Sequence, residues 1–137
     1  GLISLWHVLE HVHRLSETLQ KLKRMLDSGG KLLIAVPNHQ SWEAGLYREY
    51  WAGYDVPRHL YHFSPDTMQR LLEKNGLGIQ EKIPMIFDAF YVSLLSGKYK
   101  SGYMNFPLAF GRGLWSNLKA RGDGNYSSLI YVVGLLE

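Results

Sequence analysis

The chain has 137 residues, of which 46% are apolar and 13% aromatic. This is room for one domain with a buried core, and it excludes global disorder. The absence of cysteine excludes a disulfide framework, a thiolate metal site and a cysteine nucleophile. A net charge of +3 is too small to indicate nucleic-acid binding, and no apolar run is long enough to span a membrane. No signal peptide is recognisable, so we expect a cytoplasmic protein.

The first predicted elements are a strand, a helix and a second strand. Residues 2–6 form a short apolar run typical of a strand covered on both faces. Leucines between residues 15 and 26 then repeat at the spacing of one helical face, and Ser16 is the predicted N-cap. The glycine pair at 29–30 ends this helix, and a second buried strand follows over 31–36. This order predicts a right-handed crossover between two parallel strands.

The remainder of the chain alternates between loops, helices and strands. Ser64 and Pro65 mark the start of the clearest helix as its N-cap and first residue, and Gly76 ends it. The other predicted segments are an aromatic loop at 38–63 with some helical character at 42–50, a weak strand at 77–83, a helix at 87–95, an insert at 96–126 and a last strand at 128–136. The insert is expected to be mobile at 96–113 and to contain a helical turn or two at 114–118.

Alternation of strands and helices predicts an α/β sandwich with a largely parallel sheet. Three stretches resemble the second half of class I S-adenosylmethionine-dependent methyltransferases. They are LWHVLEHV at 5–12, the glycine pair followed by KLLIAVPN at 31–38, and WAGYDVPRHLYHFS at 51–64. The last stretch is similar to a bacterial subgroup allied to the ubiquinone-biosynthesis O-methyltransferases. The resemblance implies a three-layer Rossmann-like sandwich over residues 1–137, present from its fourth strand onward, with a mostly parallel sheet and an antiparallel last strand.

The chain departs from this family where the family holds its cofactor. Neither a glycine-rich turn after a first strand nor an acidic residue at the end of a second strand is present in these residues. Gly1 stands where the family usually has aspartate. The resemblance therefore implies that most of the S-adenosylmethionine site lies outside these residues and that the chain alone is inactive. The first strand would then lack its partner on one side, which predicts a homodimer through that edge.

Cofactor-binding residues are expected at the carboxyl end of the first strand, where open α/β sheets bind their ligands. The resemblance places the cofactor against Leu5, Trp6, His7 and Val8, although Trp6 and Val8 could instead belong to the core. His7, His11 and His13 also suggest a metal, but no supporting carboxylate is evident, and we expect none.

Two histidines are the candidate catalytic residues. His11 could act as a general base or could brace the turn before the first helix. His59 could deprotonate the methyl acceptor, since methyl transfer depends mainly on alignment and a base assists it. The alternative is that His59 and Arg58 clasp the loop onto the next helix.

Substrate-binding residues are expected at the end of the second strand and in the aromatic loop. Asn38 follows that strand, Arg58 could fork onto an anionic group, and His62 lies nearby in the same loop. The loop aromatics could enclose a sulfonium or wall an apolar acceptor, or they could pack in the core; they are Trp42, Tyr47, Tyr50, Trp51 and Tyr54.

The resulting functional hypothesis is methyl transfer to a small-molecule acceptor by the intact parent protein. The alternative is a non-catalytic α/β module that binds a protein partner through its aromatic loop. Binding to RNA is disfavoured because no stripe of lysine and arginine is interleaved with the aromatic residues.

Overall fold

The computed structural model describes residues 1–136 as four strands and five helices around one sheet. Two 3₁₀ turns lie at Leu9–His11 and Arg48–Tyr50. The strands are β1 (Leu2–Trp6), β2 (Lys31–Pro37), β3 (Leu77–Pro84) and β4 (Ser128–Leu135). The helices are α1 (Leu15–Met25), α2 (Trp42–Tyr47), α3 (Pro65–Lys74), α4 (Asp88–Ser101) and α5 (Phe106–Asp123).

The sheet confirms the predicted fold class. Its strand order is β1-β2-β4-β3, with β1 parallel to β2 and β4 antiparallel to both of its neighbours. Three strands therefore run in one direction and only the last runs against them, although two of the three neighbouring pairs are antiparallel. This topology brings the carboxyl ends of β1 and β2 and the start of β4 to one edge of the sheet.

The main core lies between one sheet face and the helices α1 and α3. Leu19 of α1 and Met68 and Leu72 of α3 are fully buried against alternate residues of the central strands. On β1, Ile3 and Leu5 point into this core, which is the period-2 pattern of a strand with one covered face. On the opposite face of β1, Leu2 and Trp6 are exposed. The strand is therefore covered on one face only within the described residues, not on both faces as predicted.

The predicted helix starts agree with the structure at one helix and differ at another. Ser64 caps α3 as expected, and its hydroxyl and that of Thr67 form a reciprocal capping box. Helix α1 begins at Leu15, one residue before the predicted N-cap Ser16, and its N-cap Arg14 makes no side-chain capping bond. Gly29 has the expected left-handed backbone, with φ of 80°.

The segment predicted as an insert at 96–126 is helical over most of its length. It comprises the end of α4, a short turn and α5, whose N-cap Asn105 accepts a hydrogen bond from the amide of Leu108 at 3.0 Å. The two helices pack through small buried residues, with Gly113 so close to Phe90 that a Cβ would lie 3.0 Å from its backbone. An ordered helical hairpin therefore stands where an irregular mobile stretch was expected at 96–113.

The aromatic loop at 38–63 contains α2 and the second 3₁₀ turn. Tyr47 and Trp51 are each 2% exposed and form a second small core with Ala44 and Val92 of α4. Core packing is thus the role of these two aromatic residues, whereas Tyr50 is exposed.

No helix among residues 1–136 has both the length and the apolar character needed to cross a bilayer.

Candidate functional site

A cleft of about 400 Å³ opens at the edge of the sheet where β1 and β2 end and β4 begins. Such a position is the usual ligand site of open α/β sheets. Its polar wall comes from the strand ends and the aromatic loop, and its apolar wall comes from α4. The lining residues are His7, Pro37, Ala52, Gly53, Asp55, Arg58, His59, Asp88, Tyr91, Val92, Leu95, Tyr99 and Ser128.

His7 directly follows β1 and lies between two carboxylates. Its Nδ1 is 3.3 Å from Oε1 of Glu10, and its Nε2 is 3.5 Å from Oδ2 of Asp88. Contact with Asp88 and then with Glu10 raises the pKa of His7 to about 9. His7 is therefore protonated at neutral pH, and since its two N–H groups face Glu10 and Asp88, it balances these carboxylates and cannot serve as a base. Its φ of 52° is rare for a residue with a side chain, and such backbone geometry concentrates at functional sites.

Asp88 begins α4 and was missed by the sequence reasoning. Burial raises the pKa of its carboxyl group, but contacts with His7 and Ser128 outweigh burial, and the net shift is downward. The available signal was an acidic residue in the first turn of a predicted helix, where the positive end of the helix dipole stabilises a carboxylate.

Glu10 is a buried carboxylate with incomplete hydrogen bonding. Its side chain is 1% exposed, and neither carboxylate oxygen has a hydrogen-bond partner. The positive charge of His7 therefore compensates it on one side, while His59 approaches from the other, with Nε2 at 3.8 Å. Its backbone carbonyl accepts the amide of Leu60 at 2.8 Å, which ties the 3₁₀ turn after β1 to the aromatic loop.

His59 is held in a defined orientation. Its Nδ1 lies 2.9 Å from the carbonyl oxygen of Gly53, and since a carbonyl only accepts, this nitrogen carries a proton. The lone pair of neutral His59 is consequently on Nε2, which lies 3.7 Å from Oδ2 of Asp55 and close to Glu10. A proton taken up at Nε2 would face two carboxylates, an arrangement that suits a general base.

Arg58 is exposed, and its guanidinium is paired with Asp55. Nε and Nη2 lie 3.0 and 2.7 Å from the same oxygen, Oδ1. The backbone carbonyl of Arg58 accepts a hydrogen bond from Nδ1 of His11 at 2.9 Å. These contacts brace the loop internally and tie it to the turn after β1, rather than to the next helix as the predicted clasp would, and Arg58 also lines the cleft.

The predicted site residues divide into two groups. His7, Arg58 and His59 line the cleft together. Trp6 and Val8 do not line it, and they are exposed at the end of β1 rather than buried in the core. The other predicted residues lie outside its lining, namely Leu5 in the main core, Asn38 bonded internally to Asn125 and Tyr126, His11 against the loop backbone, and His62 in a separate depression.

His62 packs edge-on against the ring of Tyr54, 4.9 Å between centroids. Burial, and then the electrostatic effect of the nearby His59 and His39 side chains, lowers the pKa of its imidazole.

One group of side chains has the spacing of a metal site. Glu10, His11 and His59 each offer a ligand atom, and these atoms lie within 4.8 Å of one another. In both imidazoles the N–H group at Nδ1 donates a hydrogen bond to a backbone carbonyl, which is the usual support for a metal-binding histidine. These residues could hold a divalent cation, whereas the histidines weighed from the sequence included His13, which is outside this group.

Known proteins similar to this chain are methyltransferases. The human mitochondrial ubiquinone biosynthesis O-methyltransferase is 32% identical over 89 residues, which are 61% of this chain and 24% of that protein. The fold is shared with a Haloferax volcanii methyltransferase solved with the Trm112 methyltransferase activator. That match covers 99% of this chain and 54% of the other, with a TM-score of 0.58 and 13% identity.

A second structure with this fold is Haemonchus contortus phosphoethanolamine N-methyltransferase 2 bound to S-adenosyl-L-methionine. The match covers 99% of this chain and 33% of that enzyme, with a TM-score of 0.53 and 16% identity. The chain thus spans between about a quarter and about half of the length of these relatives. The model of the family described as "Methyltransferase domain" matches residues 1–82, so the chain belongs to the methyltransferase domain family.

Proposed function

We propose that the full-length protein transfers a methyl group from S-adenosylmethionine to a small-molecule acceptor, and that the acceptor binds in the cleft at the strand ends. The observation that carries this proposal is a cleft of about 400 Å³ with oriented histidines at the carboxyl ends of parallel strands, in a chain of this family. The relatives' names support the reaction class but not the acceptor.

The exposed end of β1 suits one wall of the cofactor site. Trp6 and Val8 offer apolar surface there, beside His7, whose two ring nitrogens face Glu10 and Asp88. When bound, S-adenosylmethionine supplies an electrophilic methyl group on a sulfonium. Within residues 1–137 the sequence has no glycine-rich turn after a strand, so these residues can supply only part of the contacts.

His59 would act as the general base on the acceptor side. Its Nε2 accepts the proton from the acceptor's nucleophilic atom as the methyl bond forms, and the imidazolium is then stabilised by Glu10 and Asp55. Tyr91, Leu95 and Tyr99 of α4 form one wall of the cleft beside this chemistry. Arg58 would bind an anionic or carbonyl group of the acceptor with the guanidinium face that Asp55 leaves free.

The alternative, a non-catalytic module that binds a partner through its aromatic loop, has less support. Two of its candidate side chains, Tyr47 and Trp51, are buried in the second core and are not available to a partner.

The test is the pH dependence of methyl transfer by the full-length protein. We expect His59→Asn to lose the acid limb of the kcat/KM profile and to slow turnover by about 10²–10⁴ at neutral pH. The matched control is His13→Asn, because His13 is an exposed histidine outside the cleft. A His59→Asn enzyme with an unchanged profile would remove the base from the mechanism, and failure of the full-length protein to bind S-adenosylmethionine would overturn the function.

A further inference from the structure

A second cavity, of about 330 Å³, lies away from the cleft between α2, the end of α4 and the start of α5. On α4 it is lined by Ser93, Gly97 and Lys100, whereas the cleft uses Tyr91, Leu95 and Tyr99. At 100° per residue these are different faces of the helix, so the two spaces are separate. The complete lining is Tyr47, Ser93, Gly97, Lys100, Ser101, Tyr103, Asn105, Leu108, Ala109 and Arg112.

The charges of this cavity have one sign. Lys100 and Arg112 line it, and no aspartate or glutamate does. Within residues 1–136 neither cation has a carboxylate oxygen within 4.0 Å. The adjacent depression shares Lys100 and adds Arg48 and Glu49, whose charges cancel. Two positive charges therefore remain without a counter-charge.

Arg112 is held in place without being neutralised. Its Nη1 donates to the hydroxyl of Tyr47 at 3.2 Å, and its guanidinium carbon lies 5.3 Å from the centre of the Tyr47 ring. Tyr47 is itself buried and donates to the carbonyl of Ser93 at 3.2 Å. A neutral tyrosine thus fixes one corner of the guanidinium, and the other N–H groups of the planar fork remain for a ligand.

Neutral donors complete the wall on the α5 side. The Oδ1 atom of Asn105 accepts the capping hydrogen bond of α5. The remaining polar group of this side chain is its NH2, which is a donor. Tyr103 lines the same wall. The lining residues therefore carry an ammonium, a guanidinium and an amide as donors for a ligand with several acceptor oxygens.

We propose that this cavity binds the phosphate group of a small phosphate ester at a site distinct from the cleft. Two uncompensated cations match the charge of a phosphomonoester near neutral pH, and a fork with separate donors matches its three terminal oxygens better than a planar carboxylate. The volume is at the lower end for small-molecule pockets, so the organic part of the ligand is small.

The proposal is tested with the full-length protein, using inorganic phosphate and glycerol 3-phosphate as probes. Calorimetry gives the affinity, and amide chemical shifts of residues 97–112 locate the site. We expect Arg112→Gln and Lys100→Gln each to raise the dissociation constant about ten- to a hundredfold, from the loss of one charged hydrogen bond. Lys98→Gln is the matched control, since it removes an exposed charge two residues away that does not line the cavity.

Several results would overturn the site. One is equal weakening by Lys98→Gln, which would indicate general charge attraction, and another is shift changes confined to the cleft. Tyr47→Phe keeps the ring and removes the hydroxyl that positions Arg112, so it should weaken binding less than Arg112→Gln; binding unchanged in every variant would contradict the assignment. Lys100 is exposed, so Lys100→Gln still reports if Arg112→Gln fails to fold.

A further experiment distinguishes a phosphate group on a soluble ester from one on a lipid. Vesicles containing phosphatidic acid present the same group on a lipid. If vesicles bind through Lys100 and Arg112 while glycerol 3-phosphate does not, then the small soluble ester is refuted as the ligand.

Discussion

At the cleft, the cationic His7 connects the turn after β1 to the start of α4. It joins two carboxylates that are distant in the sequence, Glu10 beside it and Asp88 at the start of α4. A protonated imidazole there compensates the buried Glu10, while the carbonyl of Gly53 orients His59 through its Nδ1. The two histidines therefore have different partners, and the roles we propose for them differ for that reason rather than because of residue type.

The proposed role of Arg58 leads to a kinetic prediction for the full-length enzyme. We expect Arg58→Ala to lower kcat/KM for the acceptor by about one to two orders of magnitude, because one charged hydrogen-bond pair is worth roughly 1.5–3 kcal/mol. The affinity for S-adenosylmethionine and the melting temperature should stay nearly constant.

The melting temperature and the acceptor kinetics of Arg58→Ala together distinguish binding of the acceptor by Arg58 from a purely structural pairing with Asp55. If Arg58→Ala lowers the melting temperature but the folded enzyme keeps its acceptor kinetics, then Arg58 only braces the loop. Arg14→Ala is a suitable control, because Arg14 is an exposed arginine that pairs with Glu17 at 3.3 Å outside the cleft.

The sequence allowed part of this site to be predicted. His7, Arg58 and His59 stood out because the motifs around them resemble a known family, and the cleft contains all three. Asn38 stood out for its place after β2, but its side chain bonds to Asn125 and Tyr126, 87 and 88 residues away. Contacts of this kind depend on the fold of the whole chain, so local pattern could not show them.

At the scale of elements, the α4–α5 hairpin shows where periodicity misleads. A sequence pattern is usually read from large apolar residues, but this hairpin buries small ones such as Ala89, Ser96 and Gly113. Several of its large residues, including Phe106 and Phe110, are exposed. Close approach of the two helix backbones requires small residues at the interface, and so the usual signal of an amphipathic helix is absent.

The buried carboxyl group of Glu43 links α2 to α4 and leads to a prediction about how stability changes with pH. It is fully buried, it accepts a hydrogen bond from Ser93 of α4, and its second oxygen has no partner. Burial raises the pKa of its carboxyl group from 4.5 to about 7, against the opposing effect of nearby serine hydroxyls. The folded state thus keeps this proton after the unfolded state has lost it.

The free energy of unfolding should therefore fall between about pH 4.5 and pH 7 and level off above pH 7, with a contribution of about 3 kcal/mol from this group. In Glu43→Gln this contribution is lost, so the variant should match the wild type near pH 4 and exceed its stability at pH 8. Urea titrations across this range measure the difference, with the exposed Glu49→Gln as the control. A constant difference between Glu43→Gln and wild type at every pH would refute the proton as the cause.

At the scale of the molecule, the matched relatives are about two to three times as long as this chain. Since the sequence has no glycine-rich turn between a strand and a helix, we expect residues 1–137 alone to bind S-adenosylmethionine weakly or not at all. Calorimetry on these residues, with the full-length protein measured in parallel, tests this prediction. A micromolar dissociation constant for residues 1–137 would contradict it.

The exposed edge of β1 carries the remaining prediction about assembly. Within residues 1–136, β1 pairs with β2 alone, and Leu2 and Trp6 are exposed beside its free edge. An apolar edge of this kind favours strand pairing between chains. We expect residues 1–137 in isolation to form a dimer or larger species, and light scattering that shows a folded monomer at high concentration would count against it.

The place of β4 in the sheet has a consequence for how the protein is made. During translation β3 leaves the ribosome long before β4, yet β4 is its only strand neighbour among the described residues. The α4–α5 hairpin, which can form from local contacts, is synthesised in the interval. A nascent chain at this stage therefore holds an unpaired strand, a state prone to aggregation, and the sheet closes only when its latest strand inserts between two older ones.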